Sequence, residues 1–367
     1  MAKGTMWEGY DDEALFQTLD LTKLESAFAE TKPKLNEQSN KKEGNIVMKK
    51  QKISLLDGKR SQAISIVLSR FRNQKHETLR QAILEVDEEF LNLERVLALK
   101  SHCPDNEEIR LCVNYEGDEN DLDTPEKFIR CIGAIPSLQS RLSSMFIKMS
   151  YKDRYDNILH DIKKVETGVS VVKNSQNLKE ILKVLLAIGN YMNGGTARGG
   201  AFGFKLSSLK KLGDTKLVNN PKETLLHYLV EVCEEINPKL LAIPEELAIL
   251  PVAMETEPDQ IMLEIREVNA SLDIIPSTIA QVEEGDNIKP YLQTFYSSAI
   301  VEVKQASQKI EQLNHEFSDL KQVYGANTMN FVEFMECLNV FILGLSKAMG
   351  ERERKKERER RKVGGKK

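Results

Sequence analysis

Residues 291–324 read YLQTFYSSAIVEVKQASQKIEQLNHEFSDLKQVY, and their apolar members recur at Leu292, Tyr296, Ala299, Val303, Ala306, Ile310, Leu313, Phe317, Leu320 and Tyr324. The steps alternate between four and three, so all ten fall on one stripe of an α-helix. More than four heptads in one register predict about 48 Å of helix at 1.5 Å per residue. A stripe this thin and long needs helical partners along its whole length. The stretch therefore predicts an all-α, elongated multi-helix fold.

The partners are visible on either side. Ile261, Ile265, Val268, Leu272, Ile275, Ile279 and Val282 form a second heptad stripe. Glu284-Gly285-Asp286-Asn287 is a turn signal, so the two stripes should form an antiparallel helical hairpin. Pro276 should kink or split the first of them. A last apolar helix is expected over Phe331–Met349. Upstream, Leu178, Ile181, Leu182, Leu185 and Leu186 give an i, i+3, i+4, i+7, i+8 series, and a helical pattern runs from Leu138 to Val172. Stripes at Ile64, Val67, Leu68 and Phe71, at Leu79, Ile83, Val86 and Phe90, and over Leu91–Leu99 predict a helical unit over 51–135. Within it, Pro104–Pro125 reads as a loop or short helices, and a helix should pass through Phe128 and Ile132 to Ile135. Residues 31–50 are nearly devoid of apolar side chains and read as an exposed linker. The segment before them holds Trp7, the one tryptophan of the chain, and so reads as an arm that docks away from its sequence neighbours.

Composition supports this picture. Of 367 residues, 41% are hydrophobic, 29% charged and 6% aromatic, which suits solvated helices with narrow apolar stripes. Net charge is −4, but the tail 351–367 carries ten Lys/Arg against four Glu, leaving −10 on residues 1–350. An acidic body disfavours nucleic-acid binding, which needs a basic face. The cysteines (Cys103, Cys112, Cys131, Cys233, Cys337) are odd in number and form no CxxC pair, so neither a disulfide framework nor a zinc site is expected. No apolar run reaches 18 residues and no secretory leader is evident, which predicts a soluble, cytoplasmic chain with no transmembrane segment.

Catalytic patterns fail one by one. The five histidines show no HExxH spacing, and no GxSxG occurs. The glycine-rich stretch 194–200 lacks the Lys-Ser/Thr of a phosphate-binding loop, because Gly199 is followed by Gly200 and Ala201. No strand precedes it, as a dinucleotide fingerprint would require. No catalytic residue, metal site or cofactor is predicted, and the residues point to a protein that is not an enzyme. On spacing alone the glycine-rich stretch is an ordinary helix–helix connection or a place where something approaches the backbone closely.

Two blocks together resemble a known family. Gly189-Asn190-Tyr191-Met192-Asn193-Gly194-Gly195, continuing through Gly203–Leu209, Asp214-Thr215-Lys216 and Leu225-Leu226-His227-Tyr228, resembles the signature of the formin homology-2 domain. Leu56–Leu68 resembles the knob helix of the same family. The resemblance spans nearly the whole chain. It implies a lasso at 1–30, a flexible linker at 31–50, a knob at 51–135 and a coiled-coil helical bundle over 136–350 with a post near 181–250. A charged, mostly basic tail at 351–367 follows. It also implies a head-to-tail, ring-like homodimer that nucleates actin filaments and processively caps the growing barbed end.

Site residues follow from the same resemblance. Actin contacts are implied at Ile66 and Lys216, with Arg60 and Lys205 as weaker candidates. Ile66 lies roughly 100° around its helix from the apolar stripe of Ile64 to Phe71, which favours exposure. Dimerisation is implied to rest on Trp7 entering a partner pocket walled by Gly189, Asn190, Met192, Asn193, Gly194 and Gly195. A second, earlier lasso tryptophan typical of the family is absent, so a shortened lasso is expected. Profilin would be recruited only through a proline-rich segment, which residues 1–367 do not contain. Two competing readings are a coiled-coil dimerisation scaffold without actin assembly activity, and a helical GTPase-activating protein using Arg198 as a finger.

Overall fold

The computed structural model describes residues 52–71, 74–196 and 199–364, with side chains to residue 361. The chain divides into Met1–Gln51 and Lys52–Lys367, and the second unit is the one described. It is all-α. The helices are α1 (Gly58–Ser69), α2 (His76–Glu85), α3 (Leu93–Ser101), α4 (Asn106–Val113), α5 (Thr124–Ile132), α6 (Leu138–Asn174), α7 (Gln176–Met192), α8 (Leu225–Ile236), α9 (Pro258–Leu272), α10 (Ile274–Gln281), α11 (Ile288–Val323) and α12 (Phe331–Gly364). Short 3₁₀ turns cover Leu206–Lys211 and Pro238–Ala242, and single helical turns Ile243–Glu246 and Leu250–Ala253 lead into α9.

The heptad stripe of 291–324 forms α11 and buries Leu292, Ala299, Val303, Ala306, Ile310, Leu313, Phe317 and Leu320. Its neighbours are α6 and the α9–α10 pair. The direction of packing can be read from side-chain bonds. Tyr151 donates to Glu302 at 2.8 Å, and Lys173 pairs with Glu316 at 3.3 Å, so numbers rise together and α6 runs parallel to α11. Lys164 with Glu255 and Ser144 with Thr278 run oppositely, so α9 and α10 are antiparallel to both. The expected hairpin is present, turning at Gly285 with φ +91°. The expected break is also present. It falls at Asp273, three residues before Pro276, because the proline ring conflicts with the carbonyl four residues back, that of Leu272.

The first five helices pack on the N-terminal part of α6 chiefly through α3. Lys100 lies over the Phe146 ring at 4.5 Å. Glu88 takes a bond from Lys148 at 2.8 Å and accepts another from the Tyr291 hydroxyl, tying this unit to both α6 and α11. Within the unit, α2 ends at Glu85 instead of continuing to Phe90. Val86 takes a left-handed φ of 57°, and the Asp87 carboxylate accepts from the Glu89 and Phe90 amides. That local acceptor competes with the helical ladder and ends it. The first described residues are fixed here too. Ile53 pairs with Leu122 in a parallel bridge, while the buried Glu126 carboxylate accepts from Ser54 Oγ and Leu55 N at 3.1 and 3.2 Å.

At one end of the bundle, Arg141 is fully buried and donates to Asp286 in the α10–α11 turn. Burial pushes the Asp286 carboxyl up, but the Arg141 bond, the Ile288 amide and the Arg141 charge outweigh it and hold it below the usual value. Near the other end, Gly168 meets Ala253: a Cβ on Gly168 would lie 2.6 Å from that of Ala253. Glycine in mid-helix is unfavourable by about 0.5–1 kcal/mol relative to alanine, so the close approach explains its presence.

Two outcomes are expected. Gly168→Ala destabilises by about 1–3 kcal/mol, because overpacking outweighs the gain in helix propensity, and Ala253→Gly in the same chain restores most of the loss in urea unfolding. Asp286→Asn leaves the Arg141 charge buried without its counter-ion and costs about 3 kcal/mol at pH 7. The folded pKa of Asp286 is depressed, so the pair contributes fully above about pH 4 and less as pH falls through that folded value. The stability gap between Asp286→Asn and the parent should therefore narrow at pH 3.

Candidate functional site

Three surfaces carry the residues singled out in the sequence. On α1, Asp57 caps the helix by accepting from the Lys59 amide, and Ile64 and Val67 face the core. Ile66 points the other way and is 58% exposed, beside exposed Gln62, Ser65 and Ser69. Arg60 serves a different end. Its guanidinium grips Glu108 of α4 with two bonds of 2.6 and 2.9 Å and donates to the carbonyls of His102 and Cys103. The bond to Glu108 pushes the guanidinium pKa still higher, with burial opposing it. Arg60 thus fixes the pose of the helix that displays Ile66.

The second surface lies where α7 ends. Ser175 caps its start by accepting from the Leu178 amide at 3.0 Å, and the helix stops at Met192. Asn193 closes the end by donating from Nδ2 to the Gly189 carbonyl at 2.7 Å. Asn190 reaches the returning chain, donating to the Ala201 carbonyl at 2.9 Å and accepting from the Ala201 amide at 2.8 Å. Both side chains mimic backbone partners, and Asn190 clasps the ten residues between it and Ala201 at their neck. Beneath the clasp is a cavity of about 350 Å³, largely apolar, whose walls include Leu185, Gly189, Asn193, Gly203, Phe204 and Leu212. A Cβ on Gly189 would meet nothing within 4 Å, so the glycine leaves open space. A second groove of about 470 Å³ shares the Leu186, Gly203 and Phe204 walls and extends to Lys179, Lys183 and Tyr324.

The geometry redistributes the roles expected for the glycine-rich block. Gly189, Asn190 and Asn193 line the cavity. Gly194 and Gly195 do not: they turn the exposed loop, Gly195 with φ +81°. Met192 is 59% exposed and also lies off the cavity. Gly203, Phe204 and Leu212 also belong to the walls: the first two stood in the signature block without being assigned to the pocket, and Leu212 was not named. The signal available was the apolar pair flanking a second glycine. Trp7 and Arg198 lie outside the described residues.

The third surface is the hairpin after the Leu206–Lys211 turn. Leu206 and Leu209 are buried, and the turn packs against α12, leaving Lys205 exposed at its start. Lys216 is exposed and pairs with Thr224 in an antiparallel bridge. The Leu217 amide donates to the Glu223 carbonyl at 3.0 Å, and the Leu225 amide to the Thr215 carbonyl at 2.8 Å.

Among the described residues no cluster of His, Cys, Asp or Glu could hold a metal ion, and no helix is long and apolar enough to cross a membrane. Burial pushes the thiols of Cys103, Cys112 and Cys233 up to about 11, and that of Cys131 to about 12 with help from the Glu77 bond. Such thiols stay protonated and are poor nucleophiles.

Formin-H of Dictyostelium discoideum is 29% identical over 357 residues, covering 95% of this chain and 32% of that protein. Protein diaphanous homolog 3 of Rattus norvegicus is 31% identical over 344 residues, 92% of this chain and 29% of that one. Human Disheveled-associated activator of morphogenesis 1 is 29% identical over 368 residues, 95% and 34% of the respective chains. The chain spans about a third of the length of these curated relatives. The model of the Formin Homology 2 Domain matches residues 1–346, well over half of the sequence, and the chain belongs to that family.

Proposed function

We propose that this chain is an actin-filament assembly factor that nucleates filaments and remains on the growing barbed end, working as a head-to-tail homodimer and by binding alone, without a catalytic step. Its place of action is the cytoplasmic actin cytoskeleton. The observation that carries the reading is Ile66. An isoleucine more than half exposed on a helix whose opposite face is buried gains about 1–2 kcal/mol when covered, which is the behaviour of an interface anchor. Arg60 supports it from below, holding α1 on α4. Lys216, with Lys205 nearby in sequence, offers positive charge to an acidic partner surface, where steering raises the association rate.

The dimer is supported by the cavity under the α7 clasp. An apolar cavity of about 350 Å³ is of the size that takes one large side chain, and Trp7 of a second copy is the proposed occupant. The segments proposed here are the lasso 1–30, linker 31–50, knob 51–135 and the bundle with its post near 181–250. Profilin would enter this scheme only through a proline-rich segment, which residues 1–367 do not contain.

Ile66→Ala should leave unfolding within about 0.5 kcal/mol of the parent, as for an exposed position. Nucleation in a pyrene-actin assay should fall at least about tenfold, the loss of a hot-spot anchor. Loss of helicity, or nucleation at parental rate, would remove Ile66 from the interface. Gly189→Leu should keep the helical content, since space is open there, yet fill the cavity. Sedimentation should then show monomers where the parent gives dimers, and an unchanged dimer would exclude this cavity as the docking point.

A further inference from the structure

The family match ends at residue 346, but α12 continues to Gly364 and its next turns lie on α8. Four of these residues pair with the segment 223–234. Arg352 bonds Glu231 and Glu234 at 3.3 and 2.9 Å, and Lys356 bonds Glu234 at 2.8 Å. Lys355 bonds Glu223 at 2.9 Å, and Glu351 bonds His227 Nε2 at 2.9 Å. The last two contacts fall on the base of the hairpin that displays Lys216.

The chemistry at His227 makes this more than a surface ion pair. Its Nδ1 lies 3.1 Å from the Thr224 amide, a group that can only donate. Nδ1 is therefore the accepting nitrogen, and in this neutral tautomer Nε2–H donates to Glu351. His227 takes the place that Glu or Gln fills in an ordinary capping box, and Thr224 is both the first cap of α8 and the bridge partner of Lys216. The path from α12 to Lys216 is thus Glu351, His227, Thr224, with Lys355 and Glu223 beside it. Glu223 also supplies the carbonyl that accepts from the Leu217 amide.

We propose that residues 351–356 of α12, beyond the family match, are a brace that positions the Lys216 hairpin for actin through His227 and Glu223. Glu351 and Lys355 are positioning residues and need touch no actin. The inference rests on the reading of Lys216 as an actin contact, and its structural half can be tested without that reading.

The test uses the full chain carrying Glu351→Ala with Lys355→Ala, a pair that leaves net charge unchanged and lies on the exposed side of α12. A second charge-neutral pair, Glu353→Ala with Arg358→Ala, is the control, both residues being exposed. Hydrogen exchange is read at the Leu217 and Leu225 amides, and nucleation by pyrene-actin. The brace predicts exchange about fivefold faster at both amides and nucleation about threefold slower, as for the loss of two modest ion pairs, with the control pair like the parent. Added to Lys216→Ala, the Glu351 and Lys355 changes should cause no further loss. Parental exchange at Leu217 and Leu225 would overturn the brace whatever actin does. A further loss in the Lys216→Ala background would overturn positioning, because α12 would then act on actin directly. Faster exchange with Lys216→Ala itself at parental activity would overturn the Lys216 contact and leave a brace that positions nothing for actin.

Discussion

An α-helix of 37 residues fixes a length of about 55 Å, and the continuity of α6 is the constraint on which the described fold depends. Its first turns receive the helical unit that precedes it through α3 and Glu88, and its last turns meet the single helical turns that precede α9. Between them it lies parallel to α11 and antiparallel to α9 and α10. Because the same rod serves both ends, a bend anywhere along it would change the spacing between the α1 face and the α7 cavity. The polar contacts that key the rod are few and specific. Arg141 with Asp286 marks one end, and the absence of a side chain at Gly168 lets the other end close to Ala253.

The two candidate surfaces are built on opposite principles. Ile66 is an apolar group held out of a core that has room for its neighbours but not for it, and its geometry is fixed by Arg60 and Glu108 underneath. The α7 cavity is apolar space framed by two asparagines, Asn190 satisfying the backbone of the returning loop and Asn193 a carbonyl at the end of α7. In both cases polar side chains do the positioning and apolar surface is left for a partner. This division is economical in a chain with 6% aromatic residues, where few large anchors are available.

Much of the frame was legible in the sequence because periodicity is a property of one segment. The stripe from Leu292 to Tyr324, the turn at Gly285 and the split caused by Pro276 needed no knowledge of what they pack against. Exposure of Ile66 was legible for the same reason, as an angle measured on one helix. What escaped depended on pairs distant in sequence. Arg60 reads as a free cation until Glu108 is placed 48 residues away. The cavity walls at Gly203, Phe204 and Leu212 come together with Leu185 and Gly189 only when the loop is clasped by Asn190. Val86 carried the apolar spacing of a continuing helix, yet Asp87 beside it offered the backbone a better local acceptor. The charged, mostly basic tail shows no partner in its own sequence, and only the opposing Glu223, Glu231 and Glu234 give its first turns a place.

The attachment of Ile53 to Leu122 has a mechanical consequence. In a parallel bridge the two backbone bonds, Ile53 N to Asp121 O and Asp123 N to Ile53 O, lie across the chain direction. Tension drawn along the chain from residue 51 would load them together in shear, with the buried Glu126 carboxylate as a further fastening at Ser54 and Leu55. Such a load enters through α5 and its preceding turn and leaves α1 outside the force path. The helix that displays Ile66 can then keep its orientation while the chain upstream is pulled.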